Sequence, residues 1–286
     1  MNTGTSSHFF KGTPLSSNGA AHSTLVALTI AGSDPTSGAG IQADLKTFSA
    51  HGVYGLSVIA AITAQNTHGV HAVYPVSAKA IQEQCQLLIA DIPIKIVKTG
   101  MIYESAAIEF IADFIIDNEL LAVVDTPFAA SNGKELMKKD AVKIFAEKLL
   151  PVAAIITPNI VEAQMLTGHK IVSKEDMEYA AMTLLERGAK AVLMKGGHLD
   201  GEYSPDVLVA ENETLWLNAK RIGIGGFHGT GCMLSAAIAA NLALGIELRE
   251  AVSNAKNYVI EAIRNSISFG SGFRLLMNSA PIYIPH

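Results

Sequence analysis

From Thr24 onward the chain alternates short, continuously apolar runs with stretches in which apolar residues recur every three to four positions. The runs at 25–31, 56–64, 94–99, 122–125, 154–157 and 191–195 are dominated by apolar residues and do not alternate regularly with polar ones. That pattern predicts central parallel strands covered on both faces. The helical spacing predicts helices at 40–51, 77–90, 104–117, 134–150, 159–167 and 174–187. Such alternation predicts a three-layer α/β/α fold around a mostly parallel sheet. Residues 206–210 and 214–218 flank Glu211-Asn212-Glu213 and predict an antiparallel hairpin at the sheet edge. Two helices, 230–244 and 247–267, complete the pattern. No internal repeat or dividing linker interrupts it, so 24–286 reads as one domain. Residues 1–23 are rich in Ser, Thr, Gly, Asn and His, lack the apolar stretch of a signal peptide, and read as a disordered extension.

Composition narrows the class. The 286 residues are 49% hydrophobic and 16% charged, enough for one large domain with a core on both faces of a sheet. A formal net charge of -5 argues against a general nucleic-acid binder but leaves room for a nucleotide at a local positive site. Two cysteines, Cys85 and Cys232, fit a reducing, cytoplasmic setting without a disulfide framework. Cys85 lies in a helical stretch and reads as a packed residue. No apolar run reaches the roughly 18 residues that a membrane-spanning helix needs.

Candidate chemistry collects where strands end, the edge at which open α/β sheets bind ligands. Gly32-Ser33-Asp34, Gln65-Asn66, Gly100-Met101, Asp125-Thr126, Thr157-Pro158-Asn159 and Lys195-Gly196-Gly197 follow the six strands. His228-Gly229-Thr230-Gly231-Cys232 opens a strongly helical run. Glycines there let N–H groups approach an anion at the positive end of a helix, an arrangement suited to a transferring phosphoryl group. A turn chosen for close packing has the same residues. Cys232 lies in the first turn, where a helix field lowers a thiol pKa, so it is either a functional thiolate or a small packed residue. Asp44, beside the apolar stripe Ile41, Leu45 and Phe48, either accepts hydrogen bonds from a substrate or suits the helix dipole. Lys195 either reaches nucleotide phosphates or extends into solvent. Asn159 and Glu162 either hold water around Mg²⁺ or cap a helix. The chain contains no Gly-x4-Gly-Lys-Ser/Thr loop, no protein-kinase signature and no zinc spacing.

Six ordered stretches together resemble one family. They are the run from Ala27 to Phe48, Ala-Gln-Asn-Thr at 64–67, Lys-Thr-Gly-Met at 98–101, Ile-Thr-Pro-Asn-Ile-Val-Glu-Ala at 156–163, Val-Leu-Met-Lys-Gly-Gly-His at 192–198 and His-Gly-Thr-Gly-Cys at 228–232. They closely resemble the hydroxymethylpyrimidine/phosphomethylpyrimidine kinases of thiamine biosynthesis, in the ribokinase-like superfamily, over about 24–270. The resemblance implies two successive transfers of the ATP γ-phosphate to a hydroxymethylpyrimidine, with Mg²⁺. It implies that Gly32, Ala39, Asp44, Gln65 and Met101 surround the pyrimidine. Asn159, Glu162 and Lys195 would serve the nucleotide, with Glu162 holding Mg²⁺ through water. Gly229, Thr230 and Gly231 would form the anion hole, and Cys232 would stand at the position of a base. It also implies a homodimer. The chain departs from the family pattern at Thr126-Pro127-Phe128, where Phe128 would reshape a pocket, at 223–227, which lacks the usual amide and hydroxyl residues, and at 270–273. A pyridoxal kinase and a pyrimidine-binding homologue without turnover are the alternative readings.

Overall fold

The computed structural model describes residues 25–130, 132–223 and 226–277. The expected N-terminal extension lies outside them, as do Ile224 and Gly225 of the divergent segment. The chain begins with β1 (Val26–Ser33), α1 (Gly40–Ala50), β2 (Tyr54–Asn66), β3 (Gly69–Pro75) and α2 (Ala78–Asp91). It continues through β4 (Ile96–Thr99), α3 (Ser105–Asp117), β5 (Leu121–Val124), α4 (Lys139–Ile144), β6 (Ile155–Ile156), α5 (Ile160–Thr167) and α6 (Lys174–Glu186). Then follow β7 (Ala191–Lys195), β8 (Tyr203–Ala210), β9 (Glu213–Lys220), β10 (Phe227–His228), α7 (Thr230–Ala243), α8 (Leu248–Arg264) and β11 (Arg274–Leu275).

Nine strands form one sheet in the order β3-β2-β1-β4-β5-β6-β7-β8-β9. The six strands from β2 to β7 pair in parallel, and each edge carries an antiparallel hairpin. The β8–β9 hairpin is where the sequence pattern puts it. The β2–β3 hairpin is not foreseen, because 69–75 buries only Val70 and ends in Pro75, so it carries no apolar run.

The core has two halves. One lies between the sheet and α2 to α6, the other between the sheet and α1, α7 and α8. α7 is buried nearly all round from Met233 to Asn241, as its uninterrupted apolar sequence requires. The predicted helix at 134–150 is shorter than expected. Lys138 is extended, α4 begins at Lys139, and the chain leaves it through a π-helical turn and a 3₁₀ turn containing Pro151. Proline has no N–H to continue the helical ladder.

Two irregularities position the site. The β1–β2 register shifts between Ala31 and Gly32, and the β2–β3 register shifts between Ala64 and Gln65. Such bulges re-aim side chains, and Gly32 and Gln65 both line the cavity described next.

Candidate active site

A cavity of about 600 Å³ opens at the carboxyl ends of the central strands. Gly32, Ala39, Gln65 and Met101 lie on its wall at one end. Gly32 and Met101 are in direct opposition, since a Cβ on the glycine would stand 3.2 Å from the methionine sulfur. Asn159, Glu162 and Lys195 line it elsewhere, and Gly229 to Cys232 form another wall.

The glycine-rich wall is built by interlocking loops. Gly229 has φ +88°, and a Cβ there would meet the Gly38 carbonyl oxygen at 1.7 Å. No side chain fits at that position. α7 starts immediately afterwards. Its first intrahelical bond runs from Met233 N–H to the Gly229 carbonyl at 2.9 Å, and no side chain caps the helix. The N–H groups of Thr230, Gly231 and Cys232 therefore precede the helical ladder and sit at the positive end of the helix.

Charged side chains lie against these amides. A Cβ placed on Gly231 would come 3.2 Å from Lys195 Nζ and 3.7 Å from Asp125 Oδ2. Lys195 Nζ lies 3.3 Å from Asp125 Oδ1 and 3.9 Å from Glu162 Oε2. Burial alone would raise the Asp125 pKa, but Lys195 and Lys98 outweigh it and hold the carboxyl below the usual range. Burial likewise opposes the charge on Lys195, yet Asp125 and Glu162 keep its pKa raised. Thr157 donates to Asp125 Oδ1 at 2.9 Å.

Asn159 and Glu162 form a capping box on α5. The Glu162 N–H donates to Asn159 Oδ1 at 3.0 Å, and the Asn159 N–H donates to Glu162 Oε2 at 2.7 Å. Thr126 also donates to that oxygen. The capping reading is thus present, and the cavity position stands beside it.

Three sequence expectations need correction. Asp44 is not on the cavity wall. It is fully buried, and both its oxygens accept from Lys98 Nζ, at 2.8 and 3.0 Å. A carboxylate so far from water requires such a counterion. Cys232 does not have a lowered pKa. Burial pushes the thiol up to about 11, outweighing Lys98 and a hydrogen bond from the Gly40 N–H. Phe128 faces the core and stacks edge-on against Phe145 at 5.3 Å, so it shapes no pocket directly.

Other polar groups carry no role in the sequence reading. Asp34 accepts from Thr36, from the Ala39 N–H and from His228 Nε2, the last at 2.8 Å. This clamp ties the β1–α1 loop to the strand before the anion site. Lys98 stands out in hindsight as the one charge inside the apolar run of β4. At the far end, Arg221 donates to the carbonyls of Gly197, Leu199, Gly201 and Tyr203 and ties down the β7–β8 loop. In the divergent segment, Gly226 makes room for Phe273, whose Cδ1 would lie 2.3 Å from a Cβ there. Phe227 and Phe273 both face the cavity, so an apolar wall stands where amide and hydroxyl groups are expected.

Comparison with known proteins fits this geometry. The sequence model of the phosphomethylpyrimidine kinase family matches residues 34–277. The hydroxymethylpyrimidine/phosphomethylpyrimidine kinase of Rhizobium meliloti (strain 1021) is 50% identical over 241 residues, 84% of this chain and 91% of the relative. The crystal structure of a phosphomethylpyrimidine kinase from Clostridium difficile 630 is 46% identical with TM-score 0.74, covering 84% of this chain and 99% of that one. An ADP complex of Bacillus subtilis pyridoxal kinase is 35% identical with TM-score 0.83, covering 90% of this chain and 98% of the other.

Proposed function

The chain belongs to the phosphomethylpyrimidine kinase family, and from that premise we propose a two-step kinase of thiamine biosynthesis. It transfers the γ-phosphoryl group of ATP to 4-amino-5-hydroxymethyl-2-methylpyrimidine, and then transfers a second one to the resulting monophosphate. One observation carries the reading: the free amides of α7 and the Lys195 ammonium converge on the same small volume beside Gly231.

Phosphoryl transfer asks a protein mainly for positioning and for charge stabilisation. Gly32, Ala39, Gln65 and Met101 hold the pyrimidine, with the Gln65 amide pairing with its ring nitrogens or amino group. Asp44 supports that wall from behind. The amides of Thr230, Gly231 and Cys232 receive the charge that develops on the equatorial oxygens. Lys195 binds the phosphates of the nucleotide from the other side, and Asn159 fixes that end of the site.

Glu162 fits a hydrated Mg²⁺, because it lines the cavity and the hydrogen bonds from Thr126 and from the Asn159 N–H fall on Oε2. Mg²⁺ is held in this manner by one or two carboxylates, its own waters and substrate phosphates, and would neutralise phosphate charge there.

The two transfers make different demands on Cys232. The monophosphate is an anionic nucleophile and needs no base. The hydroxymethyl group must lose a proton, and we assign its acceptance to the Cys232 thiolate. With a thiol pKa of about 11 that form is scarce at neutral pH. Cys232→Ser should therefore lose far more of the first transfer than of the second, measured separately with each substrate. Equal losses would remove this role.

The TM-score to the pyridoxal kinase supports a second reading, in which pyridoxal is also phosphorylated. The higher identity to the pyrimidine kinases places the pyrimidine first. We read 24–286 as one kinase domain working as a homodimer in the cytoplasm. No helix among the described residues is long and apolar enough to cross a membrane.

A further inference from the structure

His228 and Asp34 line the cavity and have no part in the transfer just described. The Asp34 carboxylate already has donors within its own loop. Its Oδ1 accepts from the Thr36 N–H at 2.7 Å, and its Oδ2 accepts from the Ala39 N–H at 2.8 Å and from Thr36 Oγ1 at 2.9 Å. The turn between β1 and α1 therefore closes without help from elsewhere. Yet Oδ2 also accepts from His228 Nε2 at 2.8 Å, across 194 positions of the chain. His228 stands directly before Gly229. A single buried carboxylate oxygen thus joins Ala39, on the pyrimidine wall, to the strand that leads into the anion hole.

Other contacts run along the same seam. Gly38 is wedged between the two segments, since a Cβ on it would stand 2.6 Å from His228 Cδ2 and 2.9 Å from Leu275 Cδ2. The Gly38 carbonyl oxygen is in turn the atom that a Cβ on Gly229 would meet at 1.7 Å. The Gly40 N–H donates to the Cys232 thiol, and a Cβ on Gly40 would lie 2.4 Å from the Gly32 carbonyl oxygen. Gly32 and Ala39 of the pyrimidine wall therefore lie on one side of the seam, and Gly229 to Cys232 on the other. The bond from His228 to Asp34 crosses it with an ionised acceptor, the stronger kind of hydrogen bond.

We propose that His228 acts through Asp34 as a positioning residue, fixing the spacing between the pyrimidine wall and the anion hole so that the acceptor oxygen meets the γ-phosphoryl group at the distance transfer needs. Neither side chain touches the reacting atoms. A shift of about 1 Å in such a spacing costs on the order of 10²-fold in rate, while each wall keeps its own ligand contacts. The bond therefore acts on turnover and little on affinity. The proposal deepens the kinase reading and rests on it.

The test compares two replacements of the histidine, each assayed below its melting temperature. His228→Leu removes the donor and keeps a bulky side chain, whereas His228→Gln retains an amide N–H that can reach Asp34. In His228→Leu, kcat for both transfers should fall about 10–100-fold, while Kd for the pyrimidine and for ADP stays within about threefold of wild type. His228→Gln should recover kcat to within about threefold of wild type. In an Asp34→Ala background, where the partner is gone, His228→Leu should change kcat less than about twofold further. A His228→Leu kcat within about threefold of wild type overturns the proposal, as does a glutamine no better than leucine. A Kd that weakens in step with kcat makes His228 a substrate contact and overturns it. A second large loss in the Asp34→Ala background does so too, because the histidine would then act on something else. If His228→Leu does not fold, His228→Asn, too short to reach Asp34, is read in its place; failure of both to fold means that the bond serves the fold alone, and overturns the proposal. A wild-type chain that releases no ADP with either pyrimidine strikes the kinase reading and the proposal with it, whereas an active wild type beside an unaffected His228→Leu strikes the proposal alone.

Discussion

Replacing Gly231 by alanine should move stability and activity in opposite directions. Gly231 is the second residue of α7 and does not have a positive φ, so alanine can adopt its backbone. A glycine inside a helix is about 0.5–1 kcal/mol less favourable than alanine. The new methyl group would lie 3.2 Å from Lys195 Nζ and 3.7 Å from Asp125 Oδ2. The nearest atom is the far end of a flexible side chain, which can yield a few tenths of an ångström. The expected net effect on folding runs from nothing to about 1 kcal/mol of added stability, a rise in Tm of up to about 4 °C. The same methyl group occupies the space between the anion-hole amides and the lysine. The amide N–H itself remains, so the effect is steric: a phosphoryl group pushed out of reach of one such donor would lose about 2.7–4 kcal/mol in the transition state, or roughly 10²–10³ in kcat. ADP release and thermal melting on one preparation give both numbers. A variant within about threefold of wild-type kcat would refute the anion-hole assignment. So would a variant that loses activity only because it melts.

Gly229→Ala should behave differently. Its φ of +88° and the Gly38 carbonyl at 1.7 Å from a Cβ mean that the loop must move, so we expect a loss of at least about 1–2 kcal/mol in urea unfolding together with loss of turnover. The first transfer should accelerate with pH toward about 11, where the Cys232 thiol ionises, while the second shows no dependence on that group; pH–rate profiles with each substrate check this. Asp34 is nearly inaccessible, and although burial opposes its ionisation, hydrogen bonds from His228 and Thr36 lower its pKa. A depressed carboxylate stabilises the fold above its unfolded pKa of about 4 and loses that contribution as pH falls through the folded value. Asp34→Asn should therefore cost about 1–3 kcal/mol at pH 7 and progressively less in acid, read from urea unfolding across pH.

Much of this architecture is legible in the chain because central parallel strands must be apolar on both faces. The runs ending at Thr99, Asp125 and Lys195 announce both the sheet and the edge where ligands bind. The outer hairpin strand β3 is not legible, because only Val70 of it is buried. The end of the helix before β6 is written in Pro151, where the predicted stretch stops, but its late start at Lys139 is not legible in the spacing. At the site, glycines and strand ends locate the wall residues from Gly32 to Cys232. What spacing does not convey is which polar groups find each other across the fold. Asp44 is a helix residue from sequence alone, and only the meeting of α1 with β4 gives it Lys98 as a partner. The Cys232 thiol is similar, since a helix start favours the thiolate while desolvation opposes it more strongly.

The central claim is that one site performs two successive transfers onto the same pyrimidine. Incubating the wild-type chain with ATP, Mg²⁺ and 4-amino-5-hydroxymethyl-2-methylpyrimidine, and following the products by mass, tests it most directly. The monophosphate should appear first and then give way to the diphosphate, with one ADP released at each step. A pyrimidine that remains unphosphorylated, or a chain that turns over pyridoxal in its place, would contradict the account.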